Sequence, residues 1–351
     1  VRLCSAGLDK NVQVWNVTAI RRDLRRVFLR ERTIRWQVAR GLRGSIYALA
    51  SAPSDGLLAL GGYGAMGSLG EILLVNPVDG TLVKVLEGTR PTQGHRQAVL
   101  SLAFSADGNS LAAMHADGEC VLRQRDAWQP ITLYGPDDAT YGDPWAGRIG
   151  GLPKRRPVVV AGNRHVFLPV LKGKSGDRLT WKLQQIELAD RTARRDHDDV
   201  VHQGMVTALA ASFDGLRLAS ADLDGNLFLW DLSGDVQVER LRQGAVVASL
   251  SFSRDAKILA VGTAAAEGEK SELQVWDLDT RTLKKRLAVP DPVLQACAIS
   301  PDGKRLADVS DDGKVTLREL ELPELPKPEP EPAPRPAPAA GTQPATGPGA
   351  E

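Results

Sequence analysis

A unit of roughly 45 residues repeats along this chain, and that period constrains the fold more than any single residue does. The clearest copy, Val206 to Leu232, reads VTALAASFDGLRLASADLDGNLFLWDL. An alternating run leads to an Asp-Gly turn. A Leu-Ala run, a second Asp-Gly turn and another alternating run ending at Trp-Asp follow. Further copies run from Val99 to Arg123, from Val247 to Leu278 and from Leu294 to Leu320, and the first residues, RLCSAGLDKNVQVWNV, hold the second half of one. The last strand of each unit ends near Trp15, Val75, Arg123, Glu187, Trp230, Trp276 and Arg318. The final three intervals are 43, 46 and 42 residues, and the longer early ones carry insertions.

Short alternating strands joined by Asp-Gly turns make each unit a small antiparallel sheet. One such sheet cannot bury both faces. Stacking seven of them radially buries every face but the outermost surface, and it lets 351 residues avoid one oversized core. The chain is therefore expected to be all-β over 1–322. Composition agrees: 42% of residues are hydrophobic, and 34 are glycine. A net charge of +1 argues against a general nucleic-acid or membrane-surface binder. No run of 18 apolar residues is present to span a membrane. Cys4, Cys120 and Cys297 lie far apart, which excludes a disulfide framework and a cysteine-rich zinc site and fits a reducing, cytoplasmic setting.

The repeat resembles the WD40 family of β-propellers. The resemblance implies a seven-bladed propeller whose first blade lacks its innermost strand; sequence before Val1 would supply that strand or complete an eighth blade. In the family a histidine, a serine or threonine, an aspartate and a tryptophan form a hydrogen-bonded tetrad within a blade. On that pattern the fifth unit has His202, Ser220, Asp224 and Trp230, and the first has Ser5, Asp9 and Trp15. The resemblance also implies an entrance face that binds protein or peptide partners, built here from loops holding Arg43, His95, Arg96, Gln97, His115, Asp222, Gln243 and Asp311. The implied function is a non-catalytic interaction scaffold with no cofactor or metal. The alternative is a sensor or scaffold module of a larger signalling enzyme, since large bacterial members join propellers to kinase-like, caspase-like or cytochrome-like domains.

The Ser, His and Asp of the fifth unit invite a hydrolase reading, but no G-x-S-x-G elbow occurs, and a nucleophile needs exposure and an oxyanion hole. The G-x-G-x-x-G run 62–67 precedes a strand-like segment, Glu71 to Val75, where phosphate binding would need a helix, so it reads as a wide turn. Gly173-Lys174-Ser175 lacks the first glycine of a P-loop, since position 168 is Leu168. His197, Asp198 and Asp199 read as a solvated connection. Nine arginines between Ile20 and Arg43, among them Arg21, Arg22, Arg25 and Arg26, form a basic patch suited to an acidic partner, with nucleic acid the weaker reading. Residues 323–351, with proline at nearly every second position in their first half, are expected to be an extended tail or linker.

Overall fold

The computed structural model describes residues 2–7, 9–17, 29–35, 45–64, 69–89, 97–136, 156–176, 178–242, 244–264, 271–289, 294–310 and 314–320. They form seven antiparallel sheets. Blade one holds β1 (Arg2–Ala6), β2 (Asn11–Asn16) and β3 (Leu29–Arg35). Blade two holds β4 (Ile46–Ser51), β5 (Leu58–Gly62), β6 (Ile72–Val75) and β7 (Leu82–Leu86). Blade three holds β8 (Val99–Phe104), β9 (Ser110–His115), β10 (Cys120–Gln124) and β11 (Pro130–Tyr134). Blade four holds β12 (Val159–Ala161), β13 (His165–Ser175), β14 (Arg178–Glu187) and β15 (Arg194–His202). Blade five holds β16 (Val206–Ala211), β17 (Arg217–Asp222), β18 (Leu227–Asp231) and β19 (Gln237–Arg242). Blade six holds β20 (Val247–Phe252), β21 (Ile258–Thr263), β22 (Glu272–Asp277) and β23 (Thr282–Ala288). Blade seven holds β24 (Leu294–Ile299), β25 (Arg305–Ser310) and β26 (Val315–Glu319). Val1–Leu320 make up one compact unit; Glu321–Glu351 make up a second, which lies outside the described residues.

Register explains the three-stranded first blade. Leu3 of β1 pairs with Trp15 as Leu218 of β17 pairs with Trp230. β1 is thus a second strand, and the described part of blade one starts there.

The turn between first and second strands repeats one chemistry. The hydroxyls of Ser105, Ser212, Ser253 and Ser300 donate to Asp107, Asp214, Asp255 and Asp302 at 2.5–2.6 Å. Each hydroxyl also accepts the backbone N–H five residues on, as Ser212 does from Arg217 at 2.9 Å. The residue after each aspartate takes a left-handed conformation. In three blades it is glycine, as at Gly215 (φ 74°), but in blade six it is Ala256 (φ 58°).

The core lies between blades. Ala219, Ala221 and Leu227 of blade five pack with Val247, Leu259 and Val261 of blade six. Phe167 and Trp181 of blade four pack with Leu218 and Trp230 of blade five. Hydroxyls on the first strands join neighbours: Thr207 donates to the Val247 carbonyl at 2.7 Å, and Ser249 accepts the Cys297 N–H at 3.0 Å. Arginines opening the second strands reach the next blade. Arg217 donates to the Ala256 carbonyl at 2.8 Å, and Arg305 donates to the Val17 carbonyl of blade one at 3.1 Å, joining the last blade to the first. Cys120 and Cys297 are buried free thiols, and burial pushes the Cys120 thiol up to about 12.

Candidate interaction face and the buried polar chain beneath it

A line of hydrogen bonds crosses blade five. The Trp230 indole N–H donates to Ser220 Oγ at 2.9 Å. Ser220 Oγ lies 3.0 Å from His202 Nε2, and His202 Nδ1 lies 2.9 Å from Asp222 Oδ2. An indole can only donate, so Ser220 Oγ accepts from it and keeps its own O–H to donate to Nε2 in the tautomer whose Nδ1–H donates to the Asp222 carboxylate. Asp222 is held further by Asn226 Nδ2 at 2.9 and 3.0 Å and by the backbone N–H groups of Asp224 and Asn226. The side chains of His202 and Asp222 have 0% exposure.

Family spacing pointed to Asp224 as the acid of this set, and the structure places Asp222 there instead. Ser220 and Asp222 are two residues apart on one strand and share its face. Asp224 has passed into the turn, where its carboxylate meets the exposed Arg178 at 3.4 Å. In blade one the Trp15 indole donates to Ser5 at 3.3 Å, while Asp9 accepts from the backbone and side chain of Asn11. Asp9 thus caps a turn.

The same positions carry other chemistry elsewhere. In blade seven, Asp308 and Arg318 stand where blade five has Ser220 and Trp230, and Arg318 Nε donates to Asp308 at 2.9 Å. Their separation is ten residues, the same as Ser220 to Trp230 and Ser5 to Trp15. That spacing was the available signal; matching residue identity alone passes over it. In blade three Arg123 fills the tryptophan position and donates to the Glu87 and Trp128 carbonyls, at 2.9 Å for the latter. His115 fills the Asp222 position, pairing with Val99 as Asp222 pairs with Val206. Its Nδ1 lies 2.9 Å from the Gln97 carbonyl, and Gln97 Nε2 donates to Asp117 at 2.6 Å. Burial holds the His115 imidazole below its usual 6.5 despite Asp117 and Glu119 nearby.

Gln97, His115 and Asp222, expected on the partner-binding face, are therefore buried. They brace the loops from below because their polar atoms are satisfied inside the blades. Arg43, His95, Arg96, Gln243 and Asp311 lie outside the described residues, as do Arg21, Arg22, Arg25 and Arg26 of the basic patch. The glycine run starting at Gly62 connects strands β5 and β6. Gly173, Lys174 and Ser175 end strand β13, so no helix follows to cradle a phosphate. His197 sits within β15, 2.9 Å from Gln185 Oε1 and edge-on to Trp230. Among the described residues no cluster of three metal-capable side chains forms, and no helix is long and apolar enough to cross a membrane.

The WD40 family model (WD domain, G-beta repeat) matches residues 80–122 and 198–231, the first covering β7, β8, β9 and the start of β10, the second reaching from the end of β15 through blade five's tryptophan strand, β18. The chain is a WD40-repeat β-propeller. The fold matches the solved β-propeller domain of Cps50 (Swd1) from Myceliophthora thermophila with a TM-score of 0.62, over 91% of this chain and 93% of that one, at 15% identity. Among curated relatives, the small ribosomal subunit protein RACK1y of rice (Oryza sativa subsp. japonica) is 34% identical over 86 residues, 24% of each chain. Protein HIR1 of Candida albicans is 30% identical over 154 residues, 31% of this chain and 17% of that protein. The chain spans about a quarter of the length of the RACK1 relative it matches at 34% identity.

Proposed function

We propose that this WD40 propeller is a non-catalytic, cytoplasmic scaffold that binds protein partners through loops carried on its rigid ring. The observation that carries this reading is the saturation of the Ser220–His202–Asp222 set, the enzyme-like one among the described residues. Ser220 Oγ is committed to both Trp230 and His202, and the whole line is shut inside the blade. A serine nucleophile must be open to substrate beside an oxyanion hole, and this one is not. The set instead fixes the ends of β15, β17 and β18, from which loops emerge. Loops on a fixed frame bind with less ordering cost. The partial match to the small ribosomal subunit protein RACK1y, by its name a component of a larger assembly, supports the same reading.

The test is affinity capture with the purified chain under native conditions, read by quantitative mass spectrometry against a heat-unfolded control. A small set of proteins retained in stoichiometric amounts by the folded chain alone is expected. Capture no different from the unfolded control would overturn the scaffold reading, as would ester hydrolysis that disappears in Ser220→Ala.

A further inference from the structure

Blade one has an open inner position. Each of blades two to seven has a first strand beside its second, and blade one has none among the described residues. The exposure of its neighbours marks the gap. Leu3, Cys4, Ser5 and Ala6 of β1 are half-buried, where the matching Leu218, Ala219, Ser220 and Ala221 of β17 have 0% exposure. On one side, Ala296 and Ala298 of β24 are exposed. The same positions of β4, β8, β16 and β20 are not, and Ala208 and Ala210 of β16 pack there against blade six. On the other side, Leu49 of β4 is half-buried, where Leu102, Leu209 and Leu250 are buried. A cavity of about 610 Å³ opens between β1 and β4, lined by Cys4, Leu49, Leu58, Pro77 and Val78. The result is a strand-shaped slot, walled by β24 and β4 and floored by the free edge of β1.

The repeat fixes what fits there. The first strands β4, β8, β16, β20 and β24 read IYALAS, VLSLAF, VTALAA, VASLSF and LQACAI. Each begins with an aliphatic residue, carries Ala or Ser third and fifth, and carries Leu or Cys fourth. The reason is packing. The third and fifth residues meet the next blade, as Ala208 and Ala210 do, and a larger side chain would hold the blades apart. The fourth meets the previous blade, as Leu209 does beside Phe167 and Trp181. In the slot, the third and fifth residues would face blade two, and the fourth would cover Ala296 and Ala298. An incoming strand would run antiparallel to β1. Its third, fourth and fifth residues would stand opposite Ala6, Ser5 and Cys4, as Ala208, Leu209 and Ala210 stand opposite Ala221, Ser220 and Ala219.

We propose that this slot is a strand-acceptor site for an extended, uncharged segment of a partner protein, with an aliphatic first residue, Ala or Ser third and fifth, and Leu or Cys fourth. The proposal rests on the scaffold reading and gives it a place and a partner chemistry. The chemistry follows from continuity with interfaces already present, since the incoming strand would meet blades seven and two as the other first strands meet their neighbours. Main-chain hydrogen bonds to the free edge of β1 would hold the segment, and the walls would select its side chains. This chain has no spare copy of the pattern: none of its stretches outside the described residues places Ala or Ser on both sides of a Leu or Cys.

The experiment titrates a fluorescein-labelled peptide copying residues 205–213, MVTALAASF, into the 351-residue chain and into the polypeptide purified from its natural source. Anisotropy reads binding, and amide hydrogen exchange locates it. Ala296→Trp and Ala298→Arg fill the slot from positions that are already exposed, so both variants are expected to fold, which thermal unfolding checks. Val83→Arg, 57% exposed on the outer strand of blade two, is the control. The expected result is saturable binding by both preparations with slower exchange in β1. Binding should be about tenfold weaker in either slot variant, unchanged in Val83→Arg, and lost when the peptide carries Leu209→Asp. No saturable binding by the chain, or equal binding by the slot variants, would overturn the site. Binding by the 351-residue chain but not by the source polypeptide would mean that the polypeptide's own strand fills the slot, and would overturn the partner assignment. A dimer of the chain that the peptide dissociates would overturn it in favour of a second copy. Partner capture by the folded chain would in each case still uphold the scaffold reading.

Discussion

Arg318 stands where blade five keeps a tryptophan, and it forms an ion pair with Asp308, whose side chain is 3% exposed. Removing one partner of a buried pair leaves a stranded charge, which costs about 3 kcal/mol or more. Arg318→Ala is therefore expected to lower the unfolding free energy by about that much, while Arg318→Ala/Asp308→Ala recovers part of it. A denaturant melt of both variants checks this, and a single variant no less stable than the double would contradict it. His115 gives a pH signature. Its carbonyl partner on Gln97 and the carboxylates of Asp117 and Glu119 favour the charged ring, but burial outweighs them and holds the folded pKa below 6.5. The unfolded chain then binds the proton more tightly. The stability contributed by neutral His115 is fully present above about 6.5 and drains as pH falls toward the folded value. Unfolding midpoints measured at about pH 7.5 and about pH 5.5 are expected to drop at the lower pH, by less in His115→Gln than in wild type; equal drops would remove His115 from the account.

Strands were legible because their signals are local. Every position marked as the end of a unit falls on the third strand of its sheet or at that strand's last residue, except Trp15, which lies on β2, the middle strand of the three-stranded first sheet. Alternation and Asp-Gly turns suffice for that. The identity of the acid was less legible, because Asp222 and Asp224 sit in one short turn sequence, and only the strand's two-residue period tells which faces inward. The extra length of the β13–β14 hairpin was hidden because Pro169 and Gly173 interrupt β13 before the turn at Gly176, and proline and glycine read as breaks in a strand. Turn chemistry makes its own prediction. Ala256 holds a left-handed conformation where equivalent turns use glycine. Ala256→Gly relieves a Cβ clash with the backbone but gives up a buried methyl and restricts the unfolded chain less. A small net gain, about 0.5 kcal/mol, is expected in thermal unfolding, whereas Gly215→Ala should be destabilising, because its Cβ would lie 2.6 Å from the Gly162 nitrogen. A stabilised Gly215→Ala would contradict this view of the turn.

At the scale of the molecule, blades cohere through shared cores, hydroxyl sutures between first strands, and arginines that cross to the next blade, including the Arg305–Val17 contact that joins blade seven to blade one. Polar residues that look chemical in sequence are spent on that cohesion. The account stands on this point, and it is tested most directly by comparing Asp222→Ala with Asp224→Ala in equilibrium unfolding. Asp222 is the buried end of a four-member chain, so its loss should cost about 2–4 kcal/mol. Asp224 holds one exposed arginine, so its loss should cost less than about 0.5 kcal/mol. If Asp224→Ala proves the more destabilising, or if neither matters, the buried line is not what braces the blade, and the structural assignment of Ser220, His202 and Asp222 fails with it.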